Sequence, residues 1–163
     1  MQPERVMKSV PEVLNLKKIL VPIDFSPMSK QTLEYAMRFA EQFGCEIVLL
    51  HVIEPLTAIA GAPLAVDIFA DPEEDTIAAE AELACLAKSS GNHPSAFTSA
   101  VRIGHGPNEI TKAAKELDVD LIMIAAHGYT NWRQLCIGST AERVVRAAPC
   151  PVLVVREKEH EFC

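Results

Sequence analysis

Hydrophobic positions along the chain follow two alternating rhythms. Short runs, apolar throughout or nearly so, occupy Lys18–Ile23, Ile47–Ile53, Leu121–Ala126 and Pro151–Val155, and the more mixed Phe97–Ile103 reads as a further strand. Between them, apolar residues recur every three or four positions: Leu33, Ala36, Met37 and Ala40; then Ala79, Leu83 and Leu86; then Ile110, Ala113, Ala114 and Leu117; finally Ala141, Val144, Val145 and Ala148. The first pattern predicts strands and the second amphipathic helices. Local punctuation agrees. Ser26-Pro27 offers an N-cap and a first-turn proline, and Gly44 suits a helix stop. Asp71-Pro72-Glu73-Glu74 reads as a capping box for a helix ending near Gly91. Gly106-Pro107 opens the third helix, and Pro149 ends a fourth that begins at about Ser139. Strands that are apolar on both faces, alternating with helices, predict an α/β doubly wound domain whose parallel sheet is covered on both sides.

Three segments stand outside this rhythm. Residues 1–16 form a weakly patterned N-terminal arm, residues 158–163 a polar tail, and residues 54–70 a long Ala/Pro-rich loop inside the 17–157 domain. That loop carries Leu56, Ile59, Leu64, Val66, Ile68 and Phe69, too apolar for free solvent, so packing on the domain, a second subunit or a ligand is expected. Composition narrows the classes further. A length of 163 residues suits one domain with a full core, and 49% apolar against 23% charged residues excludes wholesale disorder. The net charge of −7, from 15 Lys+Arg and 22 Asp+Glu, argues against a nucleic-acid partner. A membrane span needs roughly 18 apolar residues; the best run here, Leu121–Ala126, has six. The first residues show no signal-peptide core, so a cytoplasmic protein is expected. Five scattered cysteines show no CxxC spacing. Cys45, Cys85 and Cys150 read as small buried side chains, Cys136 and Cys163 as exposed thiols.

In an open α/β sheet, ligands sit beyond the carboxyl ends of the strands. The first strand ends in Val21-Pro22-Ile23-Asp24. The fourth ends in Ala125-Ala126-His127-Gly128, and after nine intervening residues Gly138-Ser139-Thr140 opens the last helix. Gly128 lets a backbone lie close to a ligand. Gly138, Ser139 and Thr140 offer helix N-terminal amides and two hydroxyls for a phosphate, while Asp24 offers a carboxylate to a ribose hydroxyl or a base amine. A plainer account also fits: Gly-Ser as an ordinary N-cap and Asp24 as a turn residue. Other chemistries lack their residues. There is no GxxxxGK[ST] phosphate loop and no GxSxG elbow, and Gly104-His105-Gly106-Pro107 lacks the third glycine of a dinucleotide motif. The five histidines have no metal-ligand spacing, and His127, at the proposed site, reads as a loop-shaping residue.

From Lys18 to Arg156 the chain resembles the universal stress protein family. The resemblance is carried by Ile19-Leu20-Val21-Pro22-Ile23-Asp24-Phe25-Ser26, Leu49-Leu50-His51-Val52, Gly104 and Pro107, Asp120-Leu121-Ile122-Met123-Ile124, His127-Gly128, Gly138-Ser139 with Glu142-Arg143-Val144, and Pro149-Cys150-Pro151-Val152. It implies a five-stranded, Rossmann-like parallel sheet in order 3-2-1-4-5, a homodimer, and ATP or AMP, with or without Mg, in the cleft. The ATP-binding branch is similar to G-x2-G-x9-G-[ST]; here Gly128, Gly138 and Ser139 match, and Ala125 replaces the first glycine. The resemblance then assigns Asp24 and the backbone of Val52 to the adenosine end, and Ala125, Gly128, Gly138, Ser139 and Thr140 to the ribose and phosphate end.

Dimerisation has its own argument. Val152–Val155 reads as an apolar edge strand, and such an edge invites pairing with a second copy about a twofold axis. Catalysis is not specified. Arg133, between the glycines, suits either a phosphate contact or a free surface position, and Trp132 either stacking or an interface. The expectation is a nucleotide-binding stress-response sensor or regulator with an unidentified protein partner. The alternatives are a dimeric scaffold of the same fold with no nucleotide and, further off, a slow ATPase or other adenylate-handling enzyme.

Overall fold

The computed structural model describes residues 15–55, 72–89, 96–128 and 137–156. Nine elements alternate through them: β1 Lys18–Pro22, α1 Pro27–Phe43, β2 Glu46–Ile53, α2 Pro72–Ser89, β3 Phe97–Ile103, α3 Gly106–Glu116, β4 Leu121–Ala125, α4 Ser139–Ala147 and β5 Val152–Val155. The strands form one sheet in the order β3-β2-β1-β4-β5, and every neighbouring pair is parallel. This is the doubly wound α/β architecture that the two rhythms predict.

The period of two along each strand divides the interior into two half-cores. Ile19, Val21, Ile47, Leu49, Leu121 and Met123 face one side, where Leu33, Ala36 and Ala40 of α1 and Leu83 of α2 cover them. Leu20, Val48, Leu50, Ile122 and Ile124 face the other, under Ile110, Ala113 and Ala114 of α3 and Ala141 and Val144 of α4. Odd positions go to one layer and even positions to the other in β1, β2 and β4. Burial on both faces is why these strands are apolar throughout rather than alternating.

Helix ends follow the sequence chemistry. The Ser26 hydroxyl accepts from Ser29 N at 3.2 Å, capping α1, and Gly44 closes it in the left-handed region (φ 68°), donating to Ala40 O. Asp71 and Gly91, proposed as the limits of α2, lie outside the described residues. So do the arm before residue 15, most of the apolar loop, Trp132, Arg133, Cys136 and the tail with Cys163.

Three expectations about facing are corrected. Cys85 is exposed rather than buried, because α2 presents Ala79 and Leu83 to the sheet and Cys85 falls on another side of the helix. Cys150 is only half-buried, at the rim of the second half-core; Cys45 is buried, as expected. Val145 is 48% exposed, since the stripe by which α4 meets the sheet is narrow and centres on Ala141 and Val144. On β5 the alternation puts Val152 and Val154 against the second half-core and leaves Leu153 partly exposed on the opposite face.

Candidate functional site

A cleft of about 470 Å³ opens beyond the carboxyl ends of β1, β2 and β4. Small-molecule sites run from roughly 300 to 1,000 Å³, so its size suits a nucleotide. All seven residues proposed from the sequence line it: Asp24, Val52, Ala125, Gly128, Gly138, Ser139 and Thr140. They reach one place because β1 lies between β2 and β4, so residues far apart in sequence leave the sheet side by side.

Asp24 takes the turn role open to it in the sequence, and still lines the cleft. Its Oδ1 accepts from Ser26 N at 3.0 Å and from Ser26 Oγ at 2.5 Å, an Asx-type turn leading into α1. Its Oδ2 points the other way, against Gly128, where a Cβ would collide with it. The turn itself is forced. Phe25 sits at φ 62°, a conformation that an aromatic residue keeps only when tertiary contacts hold it. Its ring lies 4.6 Å from that of His51, and His51 Nδ1 donates to Ile23 O at 2.7 Å. A carbonyl only accepts, so the ring proton is on Nδ1. His51 thus braces the turn that carries Asp24.

The opposite wall is the start of α4. Gly138 is its N-cap and makes no side-chain cap bond; Gly138 N donates to Ala126 O at 2.8 Å. Packing there is tight and favours glycine, because a Cβ at 138 would stand 3.0 Å from Ala126 O and the backbone would have to give by a few tenths of an ångström. With no capping side chain, the N-terminal amides and dipole of α4 meet the cleft together with the Ser139 and Thr140 hydroxyls. An anion fits that position. Ala125, where the family pattern has glycine, puts its methyl in the wall without filling the cleft.

Glu54, Gly106, Ile110 and Ile137 also line the cleft and were not singled out in the sequence. Glu54 accepts from Gly106 N at 2.5 Å and pairs with His105 Nδ1 at 3.2 Å. The Gly106 amide, and then the His105 hydrogen bond, hold its carboxyl below the usual glutamate value of 4.5. Among the described residues the two helix N-termini around the cleft therefore differ: Glu54 caps α3 with a carboxylate, and no side-chain cap bond is made at α4. The available signal was position, since Glu54 directly follows β2 at a strand's carboxyl end; it was absorbed instead into the 54–70 loop. His127 lines the cleft as well. Among the described residues, no three His, Cys, Asp or Glu side chains converge to hold a metal ion, and no helix is long and apolar enough to cross a membrane.

The model of the universal stress protein family matches residues 15–156. The chain is similar to "Universal stress protein MJ0577" of Methanocaldococcus jannaschii, 30% identical over 87% of this chain and 96% of that protein. The solved structure of MJ0577 superposes with a TM-score of 0.73, covering 90% of this chain and all of that one at 29% identity. "Universal stress protein A homolog 2" of Coxiella burnetii is 33% identical over 88% of this chain and 97% of its own length. Two solved structures share the fold at lower identity. One is a universal stress protein in complex with cAMP (17% identity, TM-score 0.63, covering 88% of this chain and 98% of that one). The other, from Archaeoglobus fulgidus, is in complex with dAMP (21% identity, TM-score 0.61, covering 86% of this chain and 98% of that one).

Proposed function

Because the chain belongs to the universal stress protein family, we propose that it acts as a stress-response sensor or regulator whose strand-end cleft holds an adenine nucleotide, ATP or AMP. The observation that carries this reading is the pairing across one cleft of the Asp24 carboxylate with the uncapped N-terminus of α4. A nucleotide presents complementary groups at its two ends: hydroxyls and amines that donate, and a phosphate that accepts. Asp24 and the Val52 backbone would hold the adenosine portion. Ser139 and Thr140, through their hydroxyls and first-turn amides, would hold phosphate beside Gly138, with Ala125 and Gly128 supplying close, small walls. Phosphates at α3 are disfavoured, since Glu54 already occupies that helix end. The fold accommodates adenylates, as the relatives solved with cAMP and dAMP attest.

The test is thermal unfolding with and without millimolar ATP or AMP, with Mg²⁺ present and absent. Ligand at 100 times its dissociation constant stabilises by about 2.7 kcal/mol, which raises Tm by about 5–10 °C for a domain of this size. An unmoved Tm with both nucleotides favours the scaffold alternative.

The second part of the proposal is a homodimer formed through β5. Among the described strands β5 pairs only with β4, and Leu153, on its face away from the second half-core, is 37% exposed. Leu153→Lys places a charge on that edge strand without entering either half-core. It is expected to weaken association roughly 10- to 100-fold, read by sedimentation velocity across a dilution series. The same dimer constant in the variant would move the interface elsewhere. Val154 is unsuited to this test because its side chain packs inward.

A further inference from the structure

Three side chains that the nucleotide reading leaves without a task are joined beside the cleft, with Glu54 in its lining. Glu54 follows β2, His105 precedes α3, and Arg143 stands on α4 one turn beyond Ser139. Glu54 Oε1 accepts the Gly106 amide at 2.5 Å and meets His105 Nδ1 at 3.2 Å. On the other side of the ring, Nε2 lies 2.8 Å from Arg143 Nη1. A guanidinium has N–H donors and no acceptor. Nε2 must therefore accept, so the ring proton is on Nδ1 and points at Glu54. Only the neutral Nδ1–H tautomer makes both bonds.

We propose that His105 is a positioning residue for the cleft, strapping α4 to β2 and α3 while it is neutral and releasing α4 when it takes up a proton. The proposal rests on the nucleotide reading for its ligand readout. The strap acts close to the wall it would set. Ser139 and Arg143 share a helix face at i, i+4, and the first turns of α3 and α4 abut, with Thr140 Cγ2 3.9 Å from the place of a Cβ on Gly106. A second ring proton turns Nε2 into a donor facing the donors of Arg143, and sets like charges together. The bond to Glu54, in contrast, becomes charge-assisted. Acid thus parts the α4 arm and keeps the β2–α3 arm.

The groups facing His105 are Glu54 from β2 and Arg143 from α4, with Glu109 on the first turn of α3, its side chain beside Gly104. The next charges outward are paired among themselves: Arg102 with Glu116 at 2.7 Å and Arg146 with Glu142 at 2.9 Å. His105 is about half exposed, so the effect is that of one solvent-accessible hydrogen bond.

The experiment uses cAMP, whose phosphodiester keeps one charge throughout, in calorimetric titrations at pH 8.0 and pH 5.5. Wild type is expected to bind roughly three- to tenfold more weakly at the lower pH than His105→Gln does. His105→Gln keeps an acceptor for Arg143 and a donor for Glu54 but does not titrate, so it should match wild type at pH 8.0. His105→Lys, with donors only, should be weak at both values. His51 and His127 are common to all three proteins, so the difference isolates position 105. Identical pH profiles for wild type and His105→Gln overturn the proposal. NMR supplies a readout free of ligand: the Nδ1–H tautomer at pH 8.0, and Ser139 and Thr140 amide signals that move on acidification in wild type but not in His105→Gln. An Nε2–H tautomer, or amides that move equally in both, overturns the strap. Where cAMP binds no variant at either pH, the ATP and AMP titrations still decide the nucleotide reading, and the NMR result decides the strap by itself.

Discussion

Gly128→Val is expected to leave the unliganded domain folded and to weaken nucleotide binding by about 100-fold or more. A Cβ at 128 collides with Asp24 Oδ2, the oxygen not engaged by Ser26. The carboxylate must then turn out of its place while two further methyls enter the cleft. Gly128 does not occupy the left-handed region that would itself penalise a side chain, so the loss is one of space rather than backbone strain. Circular dichroism on the free variant and calorimetry with ATP check both halves. An unchanged Kd would remove the Asp24–Gly128 wall from the binding site. Gly128→Ala should fall between the two, because a single Cβ already meets the carboxylate.

Leu83→Ala is expected to cost 2–5 kcal/mol of unfolding free energy, the range for deleting a well-packed leucine. Leu83 is fully buried and joins α2 to Ile47, Leu49 and the rest of the first half-core. Among the described residues of α2, Ala79 is also buried, at 6% exposure, and Leu86 and Ala87 pack partly buried on the same half-core, but Leu83 is the large side chain the helix buries completely. Ile77 is 66% exposed, and Ile77→Ala should change stability by no more than about 0.5 kcal/mol. Urea unfolding of both variants provides the comparison. Similar losses from the two would mean that α2 meets the sheet through a different face. Because Leu83 lies on the side of the sheet away from α3 and α4, nucleotide affinity at saturating stability should be unaffected.

That contrast also marks where the sequence was hard to read. For α1, a cap at Ser26, a stop at Gly44 and a clean stripe agree with one another, and its extent and buried face follow. α2 is rich in alanine and acidic residues on several sides, so its stripe is weakly defined. Cys85 was accordingly given to the interior that Leu83 occupies. Val145 was misplaced for a related reason: at an edge of the sheet, a helix covers less than its hydrophobic stripe suggests. Solvent meets whatever the sheet does not reach.

The candidate site divides in the same way. Asp24, Gly128, Gly138 and Ser139 were legible because each sits at a strand end or helix start where local chemistry is distinctive. Glu54, His105 and Arg143 were not. They are separated by 51 and 38 positions, and nothing in their neighbours announces that they will meet. The sequence by itself determined the alternation of elements, the two buried faces of the central strands and the ends of α1, since these follow from periods of two and about 3.6 and from capping within a few residues. Only the tertiary structure decided that Asp24 Oδ2 abuts Gly128, that Glu54 stoppers α3 while no described side chain caps α4, and that one imidazole joins the end of β2 to α4. Those facts depend on which strands lie side by side, a long-range outcome of packing the whole sheet at once.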